Sequence, residues 1–273
     1  MEPKIFMIGN AHLDPAWLWR WQEGFAEIKA TFRSALDRMK EFDGYIFTAA
    51  GASYYQWVEE NEPAMFEEIR RRVAEGRWVL AGGWWLQPDC NLPCGESFAR
   101  HGLYGQQYFL SRFGKRALFG YNVDSFGHNG ALPQLLTQCG MDSYVMMRPE
   151  QHEKALSSDT FLWEGIDGTR VLTYRIPMGY GTAVDHSNLD RKREFFQKKL
   201  QSERASKMFF YGVGNHGGGP TSALLHRLED WMKENPSVCY GSPADFFAKV
   251  RAGEEPVPVV QGDLQHHAVG CYS

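Results

Sequence analysis

The 273-residue chain carries 29 Lys and Arg against 33 Asp and Glu, a formal net charge of -4, which excludes the basic footprint of a nucleic-acid binder. No apolar run is long enough to cross a bilayer, and Met1-Glu2-Pro3-Lys4 lacks the basic start, apolar stretch and cleavage site of a secretory signal. Five cysteines (Cys90, Cys94, Cys139, Cys239, Cys271) form an odd set without a Cys-x-x-Cys pair, so reduced thiols and a cytoplasmic location are expected.

Ile5-Phe6-Met7-Ile8, bounded by Gly9, is a short apolar run that reads as a fully buried strand of a parallel sheet. At its end stand His12, Asp14, Pro15, Trp17 and Trp19. Residues two apart in an extended segment point the same way, so the imidazole and the carboxylate project together as half a metal site. Zinc suits that donor pair among the common ions. Taken alone, His-x-Asp is better explained by a hydrogen-bonded pair ending a strand. The flat faces of Trp17 and Trp19 suit the apolar side of a sugar ring.

Phe25, Ile28, Phe32, Leu36 and Met39 then recur at helical spacing. A strand is expected at 45–50, a helical pattern from Tyr55 to Gly76 interrupted at Pro63, and a strand at 78–81 leading into Gly82-Gly83-Trp84-Trp85. A helix over 96–113, a strand over 117–123, a short helix over 131–139 and a strand over 143–147 follow. Segments 161–165 and 169–174, joined through Asp167-Gly168, predict an antiparallel hairpin. The polar stretch 182–204 reads as a mobile excursion. A buried strand over 207–213 enters a glycine-rich turn and then a helix over 221–233. About seven strands alternating with helices predict an α/β protein, a seven-stranded, mostly parallel α/β barrel rather than a doubly wound sheet.

Two further stretches carry chemistry. Asp124, in Tyr121-Asn122-Val123-Asp124-Ser125-Phe126-Gly127-His128, follows a buried strand, where active sites of parallel α/β folds gather. It can serve as a metal ligand or a nucleophile, or simply cap a turn, and His128 reads equally as a packed core histidine. Gly212-Val213-Gly214-Asn215-His216-Gly217-Gly218-Gly219 matches neither phosphate-binding fingerprint and reads as a tight turn presenting His216 to a pocket.

Together, His12-x-Asp14-Pro15-x-Trp17, Asp124-Ser125-Phe126-Gly127-His128, Arg148 and Gln265-His266-His267 resemble glycoside hydrolase family 38, the zinc-dependent retaining α-mannosidases, over residues 5–273. The resemblance implies that residues 1–273 are the catalytic barrel, of the glycoside hydrolase and deacetylase type, preceding the family's helical-bundle and β-sandwich domains. It implies Zn2+ held by His12, Asp14, Asp124 and His267, with Asp124 doubling as nucleophile. Trp17 matches the ring platform under the sugar, and Arg148 the arginine that reaches the nucleophile. The zinc of such enzymes holds the 2- and 3-hydroxyls of mannose. Trp85 and Asp89 are further expected substrate contacts.

Two positions depart from the family pattern. Asn215-His216-Gly217 stands where better-known members carry an aspartate as general acid, so His216 becomes the candidate acid, with Asp89 as the other candidate. Ala268 replaces an aspartate that contacts the sugar. These features resemble a bacterial-type branch acting on manno-oligosaccharides or modified mannosides, with homo-oligomerisation through the absent C-terminal domains. Two rival readings are a metal-dependent carbohydrate deacetylase, which would need zinc to activate water, and a non-catalytic carbohydrate-binding relative.

Overall fold

The computed structural model describes residues 2–213, 217–253 and 257–266. In chain order these form β1 (Ile5–Asn10), α1 (Trp21–Glu41), β2 (Phe47–Ala50), α2 (Ala52–Asn61), α3 (Pro63–Ala74), β3 (Trp78–Ala81), α4 (Gly95–Phe113), β4 (Phe119–Asn122) and β5 (Gly127–His128). The series continues with α5 (Leu132–Gln138), β6 (Ser143–Met146), β7 (Thr160–Glu164), β8 (Arg170–Arg175), α6 (Leu189–Glu203) and β9 (Lys207–Tyr211). It ends with α7 (Ser222–Glu234), β10 (Val238–Tyr240), α8 (Pro243–Arg251), β11 (Val259–Gln261) and β12 (Leu264–Gln265). Two compact units emerge, one built from Met1–Ala49, Gln56–Val79 and Met178–Gly253, the other from Ala50–Tyr55, Leu80–Pro177 and Glu254–Ser273.

The first unit is organised on β1, all six of whose residues are buried. One edge of β1 runs parallel to β9 from Ile5 opposite Lys207 to Gly9 opposite Tyr211. The other edge is shared: β10 takes Ile5 to Met7, and β2 takes Gly9 and Asn10. Such a strand, flanked on both edges and covered on both faces, needs a continuous apolar run, which Ile5 to Ile8 supplies. Gly9 is required for space, since a Cβ there would stand 2.7 Å from the Ile46 carbonyl oxygen and 2.9 Å from the Tyr211 hydroxyl. Helix α1 buries Ile28, Phe32, Leu36 and Met39 of the predicted stripe, while Phe25 at its start is half-buried. Phe32 and Phe47 both meet the Trp78 ring edge-on, at 5.0 and 4.9 Å, and burying each such side chain contributes about 1.5–3 kcal/mol.

The second unit holds a five-stranded sheet in the order β11-β7-β8-β6-β4. β4, β6 and β8 are parallel, and β7 returns antiparallel to β8 with Glu164 opposite Arg170. This is the expected hairpin, closed by Gly168 at φ +82 and by Thr169 N donating to Asp167 Oδ1 at 3.0 Å. Its core gathers Trp84, Phe98, Leu136, Tyr144 and Trp163. Trp84 Nε1 donates to Asn122 Oδ1 at 3.0 Å, which satisfies two buried polar groups at once.

The α/β class and the parallel pairing agree with expectation. Among the described residues the strands pair as two five-stranded sheets and a two-stranded ribbon, whereas alternation alone suggested one ring of seven. The stretch 182–204 is also corrected, because most of it is α6, with Leu189, Lys192 and Phe196 buried. Its polar composition hid the helix, since one of its three buried contacts is made by a lysine. The pattern break at Pro63 separates two helices, with the proline in the first turn of α3, where its missing N–H costs nothing.

Candidate active site

In the first unit the site residues leave the end of β1. His12 is buried and Asp14 is half-buried, with His12 Nε2 and Asp14 Oδ1 3.2 Å apart, so the two side chains do project together. Asn10 anchors the strand end by donating from Nδ2 to the carbonyls of Tyr180, at 2.9 Å, and Tyr211, at 3.2 Å. The Tyr180 ring tilts against the His12 imidazole with centroids 5.3 Å apart. Trp19 Nε1 donates to the Asp14 carbonyl at 3.0 Å, folding the loop back. Gly24 of α1 lies so close to this loop that a Cβ would stand 2.1 Å from the Pro15 carbonyl oxygen. On this framework Trp17 is 49% exposed, its ring meeting Trp19 edge-on at 5.4 Å. That exposure leaves an aromatic surface for a ligand to stack on.

In the second unit Asp124 follows β4. Arg148 Nε donates to Asp124 Oδ1 at 3.1 Å, and the guanidinium lies over the Phe126 ring at 4.3 Å. The arginine is thus held by a carboxylate and an aromatic face together. His128 is fully buried: Nε2 lies 2.8 Å from the Arg148 carbonyl oxygen and Nδ1 2.7 Å from the Tyr144 hydroxyl. A carbonyl only accepts, so Nε2 carries the proton and Nδ1 accepts from Tyr144. Burial pushes its pKa down to about 4. His128 is the packed core histidine that the sequence allowed, and it fixes the backbone of Arg148. Antiparallel pairing of β12 with β5 sets Gln265 opposite Gly127, and Gln265 Nε2 donates to Asn91 Oδ1 at 2.7 Å. The described chain therefore runs beside the Asp124–His128 loop as it approaches position 267.

Of the remaining predicted residues, Trp85 and Asp89 belong to the second unit with Asp124. Trp85 packs edge-on against Tyr108 of α4 at 6.1 Å and lines a cleft of about 580 Å³ with Tyr104, Gln107, Tyr108, Leu110 and Ser111. Asp89 is exposed, and its Oδ1 accepts from the backbone of Asn91 at 2.8 Å and of Leu92 at 3.0 Å, the geometry of a turn-closing aspartate. His216 and His267 lie outside the described residues. Among the described residues no three His, Cys, Asp or Glu side chains converge as a metal site. The His12 and Asp14 pair supplies nitrogen and oxygen donors side by side, a donor chemistry that fits zinc. Sequence reasoning missed Tyr180 and Asn10, and the only local signal was the glycine on either side of the tyrosine.

Carboxylates at or beyond the ends of buried parallel strands, as at Asp14 after β1 and Asp124 after β4, are the arrangement in which α/β enzymes carry their sites. The family description "Glycosyl hydrolases family 38 N-terminal domain" matches residues 2–268, and the chain belongs to that family. It is 32% identical to alpha-mannosidase G of Dictyostelium discoideum over 268 residues, 96% of this chain and 24% of that protein. It is 30% identical to alpha-mannosidase 2C1 of Homo sapiens over 263 residues, 95% of this chain and 25% of that protein. The chain thus spans about a quarter of the length of these curated relatives. Among solved structures, an alpha-mannosidase from Enterococcus faecalis V583 is similar with a TM-score of 0.81 at 18% identity, over 96% of this chain and 31% of that one. A putative polysaccharide deacetylase from Mycobacterium smegmatis shares the fold with a TM-score of 0.63 at 13% identity, over 95% and 94% of the two chains.

Proposed function

We propose that the chain is the catalytic domain of a zinc-dependent retaining α-mannosidase that removes terminal α-mannose from manno-oligosaccharides or modified mannosides. The observation that carries this reading is the Asp124–Arg148 pair at 3.1 Å, set after a buried strand in a chain of family 38. Zinc would be held by His12, Asp14, Asp124 and His267, where it would supply Lewis acidity and help orient the sugar.

The chemistry assigned to the chain's own residues is double displacement. Asp124 attacks the anomeric carbon as the bond to the leaving oxygen breaks, and a proton donor delivers its proton to that oxygen. His216 is the proposed donor, since a neutral-range imidazole can give and retake a proton. Water then attacks the glycosyl ester on Asp124, gives a proton back to His216, and releases mannose with the carboxylate restored. Arg148 orients the nucleophile through Oδ1, and Phe126 fixes the guanidinium plane. Trp17 is assigned the stacking face for the sugar, with Trp85 and Asp89 as outer contacts. The protein is proposed to act in the cytoplasm on mannose-containing oligosaccharides, without nucleic-acid or membrane partners, and to form homo-oligomers.

The test is hydrolysis of an aryl α-mannoside by the intact protein and its Asp124→Ala variant. The reading expects turnover by the wild type and its loss in the variant. Undiminished turnover in the variant, or release of acetate from acetylated sugars in place of mannose, would overturn it.

A further inference from the structure

Lys192 lies in the first turn of α6 and is 1% exposed. Its Nζ donates to the carbonyls of Gly179 at 2.8 Å, Gly181 at 3.0 Å and Phe210 at 2.7 Å, and it lies over the Phe209 ring at 5.3 Å. Three acceptors match the three N–H bonds of an ammonium, whereas a neutral amine offers only two. Burial pushes its pKa down to about 7, and the three carbonyls work against that by favouring the charged form. Taking a cation out of water is costly, so a buried lysine bonded, among the described residues, to backbone oxygens alone calls for a reason.

The three carbonyls indicate one. Gly179 and Gly181 flank Tyr180, whose ring lies against His12 and whose carbonyl accepts from Asn10. Phe210 belongs to β9 and stands opposite Ile8 of β1, the strand that delivers His12. The turn is entered through left-handed backbone at Met178, φ 63, and Gly179, φ 77, a conformation that is strained at a non-glycine residue and so must be held by its surroundings. Thr182 N donates to the Gly212 carbonyl at 2.8 Å, pinning the far side of the turn to the segment after β9.

We propose that Lys192 is a positioning residue that ties the Gly179–Gly181 turn to β9 and thereby fixes Tyr180 as the wall holding the His12 imidazole. Its consequence for metal binding rests on the reading of His12 as a zinc ligand. The geometric part stands without it.

The test uses the intact protein as wild type, Lys192→Met, Lys192→Arg, Tyr180→Ala and the Lys192→Met/Tyr180→Ala double variant. Arginine keeps a buried cation, but its planar fork cannot bring three carbonyls to one nitrogen. Two quantities are read: hydrogen exchange of the amides at 11–14 and 180–182, and zinc affinity by competition with a chelator. Lys192→Met and Lys192→Arg are expected to accelerate exchange in both segments and weaken zinc binding about 10-fold or more, the range for groups that orient a metal ligand. Tyr180→Ala leaves the three carbonyls in place and is expected to weaken zinc binding similarly, and the double variant no further, because both substitutions act through one contact.

Lower melting temperatures with unchanged exchange at 11–14 and unchanged zinc affinity would overturn the proposal, as would fully additive losses. Should Lys192→Met fail to fold, Lys192→Arg and Tyr180→Ala decide by the same criteria. A wild type that binds no zinc would overturn the metal reading of His12, while the exchange data would still decide the role of Lys192.

Discussion

His128 makes the stability of the second unit sensitive to acid. In the fold its Nε2–H is given to the Arg148 carbonyl and its Nδ1 accepts from Tyr144, so the neutral ring is fully satisfied, and complete burial disfavours the charged one. Burial pushes its pKa from 6.5 to about 4, while in the unfolded chain the ring titrates near its ordinary value. Between those pH values the unfolded state binds the extra proton. The stability contribution is therefore complete above pH 6.5 and is lost as pH falls towards 4, at about 1.4 kcal/mol per pH unit and about 3 kcal/mol in all. Urea unfolding at several pH values from 7.5 to 4.5, for wild type and His128→Gln, measures it. Glutamine can still donate to the Arg148 carbonyl and accept from Tyr144 but does not titrate, so over this pH range its loss of stability on acidification should be smaller than wild type by about 2–3 kcal/mol. Equal pH slopes in the two proteins would refute the reasoning.

Three further outcomes follow from the geometry. Gly24→Ala puts a Cβ 2.1 Å from the Pro15 carbonyl oxygen; it should destabilise the first unit by about 1–3 kcal/mol, and, because backbone must shift, quench or alter the fluorescence of Trp17 and Trp19. Arg148→Met removes the cation 3.1 Å from Asp124 and should lower kcat for an aryl α-mannoside by about 10²-fold or more, the scale for misplacing a reacting group, with the melting temperature little changed. Ser242→Ala breaks the capping box that joins Ser242 and Asp245 at the start of α8, so a loss of about 1 kcal/mol in urea unfolding is expected.

The parts of the fold that obey one local rule could be read from the sequence. Ile5 to Ile8 is apolar because both faces and both edges are covered, and the α1 stripe follows from burial of one helix face. α6 could not be read in this way, because it is anchored by Lys192, whose acceptors are carbonyls distant in sequence. Ser242-Pro243 followed by Asp245 is a readable helix start, but the apolar pattern after it is too short to mark α8 as a helix. At the site, His12 and Asp14 do point together, 3.2 Å apart, although both stand beyond the end of β1 at Asn10, in a loop that strand alternation does not govern. Arg148 came from the family resemblance, and the 3.1 Å contact with Asp124 gives it a physical basis. Tyr180 was invisible because only the pairing of β9 with β1 and the turn beyond it bring that ring to His12.

The most direct test of the account is the zinc content of the intact protein, paired with hydrolysis of an aryl α-mannoside before chelation, after chelation and after zinc is restored. The account predicts stoichiometric zinc and an activity that chelation removes and zinc returns. A protein that holds no zinc, or one that hydrolyses the mannoside equally well after complete chelation, would contradict it.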